Sequence, residues 1–237
     1  MSQIINKSNH LKKELFMEYG KIIVCLFASI FCIPLAFYTY GFSLIGTLVF
    51  GVYIKKIKTN ISILSFGLKG EKEVLKLLSD LPKRYKVVSD ILIQGRNTSS
   101  QIDYVIIGAN GIFIVEAKNI KGNIKGKETD KYLTQIKIGK GGKEYIKEMY
   151  NPTFQVKGHV IGLTKLLKKN KLPSIVQGVV YFANEDCNVE FNSSKIAMLT
   201  KKDNNLLKYI KTYKNEEIKL TPKEQMQITE LLKNHIM

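Results

Sequence analysis

The hydropathy pattern is dominated by a run of 33 residues, Ile22 to Ile54, that contains no Asp, Glu, Lys or Arg. One straight helix over this run would measure about 50 Å, against a hydrocarbon core of roughly 30 Å. Pro34 and the Tyr40-Gly41 pair are places where the chain can bend. The pattern therefore predicts a transmembrane helical hairpin with arms at about 21–38 and 42–57. A single span with an interfacial portion is the alternative.

Lysines flank the apolar run on both sides: Lys7, Lys12, Lys13 and Lys21 before it, Lys55, Lys56 and Lys58 after it. Because cytoplasmic loops carry an excess of Lys and Arg, both ends of the hairpin are expected in the cytoplasm. We thus expect a cytoplasmic segment at 1–20, a transmembrane segment at 21–57, and a soluble part on the cytoplasmic side of a cell membrane. A cleaved signal peptide is not expected, since the apolar region is too long and no clear A-x-A site follows it.

Downstream of the apolar run, helical and extended patterns alternate. Gly67–Leu78 has apolar residues at helical spacing, and Tyr85–Ile93 is typical of a strand. Two further apolar strands, within Gln101–Lys118, are joined at Asn110-Gly111, as in a β-hairpin. A polar loop at 94–100 precedes this hairpin.

The second half of the chain predicts three more strands and three helices. Residues 119–148 are rich in glycine and lysine, with 132–138 as the most strand-like stretch. A helix follows Asn151-Pro152, with Thr153 as its expected cap, and Ser174–Phe182 is typical of a buried central strand. The remaining elements are a strand at 196–199, a helix at 203–213 and a last helix that begins with the capping box Thr221-Pro-Lys-Glu224. The order predicts three layers, with the hairpin in the centre of the sheet.

The hairpin carries three charged side chains, Asp103, Glu116 and Lys118, that its geometry brings to one face. A two-residue Asn110-Gly111 turn would place Asp103 opposite Lys118, with Glu116 diagonal to it. A loop from Gly108 to Gly111 would place Asp103 opposite Glu116, on the same face; only an odd-length loop would separate the three. Two carboxylates and an ammonium group on an apolar ribbon are costly unless they coordinate something, and a divalent metal is the obvious candidate.

Composition adds weaker constraints. The chain has 37 Lys and Arg against 20 Asp and Glu, a formal charge of +17, which is consistent with an anionic partner, either nucleic acid or an acidic membrane surface. Because only Arg84 and Arg96 are arginine, a compositional bias towards lysine explains much of this excess. The cysteines, Cys25, Cys32 and Cys187, support neither a disulfide framework nor a zinc site, so a reducing compartment is expected.

Five motifs occur in the order of a known family. They are Gly67-x-x-Gly-Glu71, Gln101-Ile-Asp103, Gly111-Ile-Phe-x-Val-Glu116-Ala-Lys118-Asn, Gly122-x-Ile-x-Gly126 and Asn151-Pro-x-Phe-Gln155. Together they resemble the NERD domain, the nuclease-related domain, over about half the chain. The resemblance implies the PD-(D/E)xK restriction-endonuclease-like superfamily and an α/β fold with an αβββαβ core and a central mixed sheet. The expected core covers 67–182, and a C-terminal α/β extension covers 183–237.

The resemblance also implies roles for individual residues. Asp103 and Glu116 would be metal ligands, Glu71 would be a supporting site residue and a candidate third ligand, and Lys118 would be the catalytic lysine. Gln155 would be a supporting site residue, and the metal would be Mg²⁺, with Mn²⁺ as a substitute. Two residues depart from the family pattern. They are Tyr104, where the family often has His, and Asn123, where an aromatic residue is common.

The expected function is thus a membrane-anchored, metal-dependent nuclease of a bacterial cell that acts on DNA, with RNA as the other possible substrate. The alternative is a catalytically silent membrane tether that binds nucleic acid or a partner protein. Basic residues near Gln155 would follow a phosphate backbone without reading sequence, or simply be solvated; these are Lys157, Lys165, Lys168 and Lys169. His159, one turn beyond Gln155, is expected to be a packing residue.

Overall fold

The computed structural model describes residues 1–6, 10–94, 99–139, 141–215, 217 and 219–236. Most of the expected loop at 94–100, residues 95–98, and Arg96 with it, lies outside these ranges. The chain divides into two compact units, Asn9–Lys69 and the combination of Met1–Ser8 with Gly70–Met237.

The described part of the chain contains five helices and ten strands. The helices are α1 (His10–Leu35), α2 (Leu44–Ser79), α3 (Pro152–Lys169), α4 (Leu206–Thr212) and α5 (Pro222–Lys233). The strands are β1 (Gln3–Ile4), β2 (Lys86–Gln94), β3 (Ser99–Gly108), β4 (Gly111–Lys118), β5 (Gly122–Lys125), β6 (Tyr132–Ile138), β7 (Glu144–Tyr150), β8 (Val176–Phe182), β9 (Cys187–Val189) and β10 (Ile196–Thr200).

The unit formed by residues 9–69 is a pair of helices joined by a turn at 36–43. Tyr40 and Gly41 both have positive φ, so the expected bend lies in this turn. The Ser43 hydroxyl donates to the Cys32 carbonyl (2.8 Å), and a Cβ on Gly46 would lie 3.2 Å from the Cys32 sulfur, so the helices approach closely at this end. Among the described residues, α1 is the one helix long and apolar enough, by length and composition, to cross a membrane. Helix α2 does not meet that test, and the predicted second arm at 42–57 is therefore not identified as a membrane span.

The other unit is built on a six-stranded mixed sheet in the order β1-β2-β3-β4-β8-β10. Strands β2, β3 and β4 are antiparallel neighbours, whereas β8 runs parallel to both β4 and β10. The predicted central position of the hairpin is confirmed, because β3 and β4 are the third and fourth of the six strands.

Both faces of this sheet are covered by helices, as predicted. Alternate residues of β4 divide between the two cores, because side chains alternate along a strand. Ile112 and Ile114 pack in one core with apolar residues of α3 and α5, whereas Phe113 and Val115 pack in the other with residues of α2 and α4. The result is a three-layer α/β/α arrangement.

A second, four-stranded sheet, in the order β7-β6-β5-β9, was predicted only at β6. Strands β5 and β9 have four and three residues, too few for a hydrophobic period to appear in the sequence. Strand β7 is exposed at almost every position, so it has no buried face to produce an alternating pattern.

Two helix starts differ from expectation. Asn151, not Thr153, caps α3, because its side chain accepts a hydrogen bond from the Thr153 N–H (3.0 Å). Helix α4 begins at Leu206 rather than 203. The capping box of α5 is confirmed, with Thr221 and Glu224 each bonding the backbone N–H of the other.

Candidate functional site

The register of the β3–β4 hairpin places Asp103 opposite Glu116. Gly108 pairs with Gly111, so the turn is Ala109-Asn110. The predicted Asn110-Gly111 turn is thus wrong by one residue. The observed register is the one expected for a loop from Gly108 to Gly111, with Asp103 opposite Glu116. Contacts distant in sequence hold Asn110 in the turn, since its side chain accepts from the Tyr85 hydroxyl (3.1 Å) and donates to the Ile210 carbonyl (2.7 Å).

Glu116 and Lys118 form an ion pair at the end of β4. The Lys118 ammonium lies 2.7 Å from Glu116 Oε1 and 3.0 Å from Gln155 Oε1, and it donates to both. Glu116 is 2% exposed. Although burial raises the pKa of Glu116, Lys118 and then His159 outweigh it, so the pKa lies below its ordinary value and the carboxylate is ionised. Burial lowers the pKa of Lys118, but the negative charges of Glu116 and Asp103 raise it by more, so the net pKa lies above its ordinary value and the lysine stays cationic.

His159 lies beside the Glu116 carboxylate, a position that was not predicted from the sequence. It lies on the same face of α3 as Gln155, four residues later, and its Nδ1 is 2.6 Å from the Ser100 hydroxyl. Its Nε2 lies 3.4 Å from Glu116 Oε2, and neither of these buried atoms has a hydrogen-bond partner in the described part of the chain. The i, i+4 spacing to Gln155 was the available signal in the sequence. His159 is indeed buried, as predicted, but it faces the carboxylate of the site.

Asp103 is half-buried beside this pair. Its Oδ2 accepts a hydrogen bond from the backbone N–H of Ala117 (2.9 Å). Burial, and next the negative charge of Glu116, raise the pKa of Asp103 well above its ordinary value, although Lys118 acts in the opposite direction. The two carboxylates therefore repel each other across the hairpin, and a cation between them would relieve that repulsion.

Glu71 reaches the site from α2. It is 9% exposed, its charge contributes to the raised pKa of Asp103, and its backbone carbonyl accepts a hydrogen bond from the Tyr104 hydroxyl (2.8 Å). Tyr104, one of the departures from the family pattern, thus positions the helix that carries Glu71. A Cβ on Gly70 would lie 2.3 Å from Asn119 Cβ, which explains why glycine occurs at this position.

The structure brings Glu71, Asp103, Glu116, Lys118 and Gln155 together, but it does not place the α3 lysines with them. Lys157 pairs with Glu128 (2.8 Å). Lys165, Lys168 and Lys169 are exposed, and they lie 10 to 14 residues beyond Gln155, which is about 15 to 21 Å along the helix axis. These three lysines are too distant to contact a phosphate held at the cluster.

Comparison with known proteins identifies a related family and a related sequence. Residues 66–183 match the family model described as the nuclease-related domain. The chain is also similar to an uncharacterized protein of Bacillus anthracis, with 33% identity over 111 residues, which is 46% of this chain and 50% of that protein. The chain thus spans about half the length of the curated relative that it matches. No solved structure matches.

Proposed function

From this similarity to nuclease-related domains, we propose that the protein is a metal-dependent nuclease of the PD-(D/E)xK type, anchored in a membrane and hydrolysing phosphodiester bonds in nucleic acid, with DNA as the expected substrate. One observation carries the proposal. Asp103, Glu116 and Lys118 share one face at the end of a central hairpin, where α3 adds Gln155 within hydrogen-bond distance of Lys118.

The donor set fits a divalent cation of the Mg²⁺ type. Such hard ions bind oxygen ligands, typically one or two carboxylates together with waters. Asp103 and Glu116 supply these oxygens, with Glu71 as a further carboxylate nearby. The raised pKa of Asp103 and the buried Glu116 Oε2, which has no hydrogen-bond partner among the described residues, are the properties expected of a site that holds a cation.

The residues around the carboxylates divide the chemistry between them. A bound Mg²⁺ would lower the pKa of a coordinated water and polarise the phosphoryl oxygen. Lys118, kept cationic by its neighbours, is suited to donate to a phosphate oxygen and to stabilise the negative charge that develops there. Gln155 orients the Lys118 ammonium and lies in the first turns of α3, whose N-terminal dipole favours an anion.

The test is cleavage by the full chain in detergent micelles. We expect hydrolysis of linear, circular or single-stranded DNA with Mg²⁺ or Mn²⁺, none with EDTA, and none by Glu116→Gln. Glu190→Gln is the matched control, because Glu190 is an exposed carboxylate paired with Lys125 away from the site. Full activity in Glu116→Gln would contradict the proposal. Salt-sensitive binding without turnover would instead assign the chain to the alternative, a silent tether.

The pairing of β1 supports a membrane hairpin over a single span. Gln3 and Ile4 pair with Lys86 and Val87 of β2, and Ser2 N–H donates to the Ser79 carbonyl (2.9 Å). Residues 1–6 thus belong to the same folded unit as the candidate site. One crossing by α1 alone would place them on the opposite side of the bilayer and break this pairing, whereas two crossings return the chain to the same side.

Labelling with a membrane-impermeant maleimide tests this topology. In a chain without its native cysteines, Gln3→Cys and Lys223→Cys should both react in inverted membrane vesicles and both be protected in right-side-out vesicles. Both positions are exposed, so access within the folded unit is not limiting. Reaction of the two positions from opposite sides would rule out the hairpin.

A further inference from the structure

An exposed row of aromatic rings lies at the root of the β6–β7 hairpin. Tyr132 and Tyr150 are register partners on neighbouring strands, and Phe154 follows in the first turn of α3. Their exposed fractions are 51%, 47% and 36%. We call these three residues the aromatic platform. Exposed rings grouped in this way typically mark an interaction site rather than a solvated surface.

The rings are in successive contact, and lysines lie over both ends of the row. The Tyr132 and Tyr150 centroids are 6.0 Å apart, and those of Tyr150 and Phe154 are 6.4 Å apart. The Lys131 ammonium is 5.5 Å from the Tyr132 centroid, and the Lys157 ammonium is 5.4 Å from the Phe154 centroid. The platform therefore combines apolar π-faces with the positive charge of Lys131 at its Tyr132 end, whereas the charge of Lys157 at the Phe154 end is paired with Glu128 (2.8 Å).

The root of the hairpin is fixed rigidly to the start of α3. Asn151 is fully buried, and its backbone N–H donates to the Lys131 carbonyl (3.0 Å). Its side-chain amide donates to the Asp130 carbonyl (2.8 Å) while its Oδ1 caps the helix. The platform thus has a preformed geometry, which lowers the entropic cost of binding.

The platform is adjacent in sequence to a residue of the candidate site, and it borders a groove. Phe154 directly precedes Gln155, whose side chain bonds Lys118. On its other side, Phe154 lines a groove of about 680 Å³ together with Lys157, Ser194 and Lys195. Glu128 also lies in this groove, but its charge is neutralised by the ion pair with Lys157 (2.8 Å).

We propose that the aromatic platform binds unpaired nucleotides of the substrate and directs the strand to the candidate site. This inference rests on the proposed nuclease function and adds a substrate class to it, namely nucleic acid with a single-stranded segment. Aromatic rings stack on the faces of unpaired bases of any sequence, and adjacent cations contact the phosphates. In a duplex those faces are covered by neighbouring base pairs, so the platform discriminates against fully paired substrates.

The rest of the β6–β7 hairpin defines the extent of the platform and supplies a control residue. Farther along the same face, the hairpin exposes Ile138 and Ile146 (73% and 72%), which have no π-face and therefore do not extend the stacking surface. The face opposite the platform carries Tyr145, which is 49% exposed and pairs with Lys137. Tyr145 has the same residue type, strand and exposure as Tyr150, and it is the matched control.

The experiment measures oligonucleotide affinity of the full chain in detergent micelles by fluorescence anisotropy, in EDTA to prevent cleavage. The double variant Tyr132→Leu/Tyr150→Leu keeps apolar side chains and removes the rings. We expect its affinity for a single strand to fall at least about tenfold, because each stacked base contributes roughly 1–3 kcal/mol. Affinity for a duplex of the same sequence should be unchanged in this variant, and Tyr145→Leu should bind both as the wild type does.

Two results would overturn the proposal. One is unchanged single-strand affinity in the double variant, which would leave a lipid or a protein as the occupant of the platform. The other is an equal loss in Tyr145→Leu, which would show a general effect of the hairpin. Parallel cleavage assays with wild type and Glu116→Gln separate this inference from the nuclease proposal, since loss of metal-dependent cleavage concerns only the latter.

Discussion

Replacing Lys118 with methionine separates the structural role of the Glu116–Lys118 pair from its chemical role. Methionine keeps the unbranched chain of lysine and removes the ammonium group that lies 2.7 Å from Glu116 Oε1. Glu116, which is 2% exposed, would then be a buried carboxylate without its main counterion. The substitution should therefore destabilise the fold as well as abolish cleavage.

The size of the effect follows from the burial of both partners. Breaking a buried ion pair by removing one partner costs about 3–5 kcal/mol. Lys118 retains some contact with solvent and His159 lies 3.4 Å from Glu116, so we expect the lower end, about 3 kcal/mol. For a chain of this length that corresponds to a fall in Tm of about 6–12 °C.

The assay is thermal unfolding of the full chain in detergent, followed by circular dichroism in EDTA so that no metal compensates the charge. The double variant Glu116→Gln/Lys118→Met removes the buried charge as well, and should recover most of the lost Tm without recovering cleavage in Mg²⁺. If the double variant were no more stable than the single one, the charge of Glu116 would not be the source of the cost. If Lys118→Met still cleaved DNA, the catalytic role of the lysine would be wrong.

Three more predictions concern the surroundings of this pair. The pKa of Asp103 is raised above its ordinary value of 3.8, so between the unfolded and the folded pKa the folded state holds a proton that the unfolded chain has released, and stability falls as pH rises through that interval. Asp103→Asn should therefore match the wild-type Tm near pH 4 and exceed it increasingly towards pH 8 in EDTA. Equal Tm values for the two proteins at both pH values would refute the repulsion. His159→Phe keeps a ring but loses the Nε2 that faces Glu116, so it should lower kcat or the apparent Mg²⁺ affinity about 10- to 100-fold while oligonucleotide affinity stays unchanged. Full activity of this variant would show that His159 is a packing residue. Gly70→Ala should lower Tm because its Cβ would lie 2.3 Å from Asn119 Cβ, whereas a Cβ on Gly158 in α3 would meet no described atom within 4 Å, so Gly158→Ala should leave Tm unchanged or raise it. Similar effects at both positions would contradict the close approach.

The grouping of Asp103, Glu116 and Lys118 could be predicted from sequence because it depends only on the two-residue period of strands. Both even registers of the hairpin place these side chains on one face. The choice between the registers was not predictable in the same way. It depends on the hydrogen bonds that Asn110 accepts from Tyr85 and donates to Ile210, which lie 25 and 100 residues away along the chain.

His159 and the second sheet illustrate what a hydrophobic pattern cannot contain. A buried histidine on the apolar face of a helix gives the same pattern whether it packs against leucine or faces a carboxylate. Only the position of Glu116 across the α3–β4 interface assigns its Nε2 a polar neighbour. Strand β7 likewise has no apolar alternation, because it is stabilised by pairing with β6 rather than by burial.

Asn151 connects the candidate site to the aromatic platform. Its Oδ1 caps the helix that carries Gln155, and its amide and backbone N–H groups donate to the carbonyls of Asp130 and Lys131, immediately before Tyr132. Because the residue is fully buried, each of these bonds would leave an unsatisfied polar group if it were lost, at about 1–3 kcal/mol each. A shift of the hairpin relative to α3 would break several of them at once. The aromatic platform and the candidate site therefore belong to one rigid part of the fold. A nucleotide stacked on Phe154 would be held at a fixed distance from Gln155.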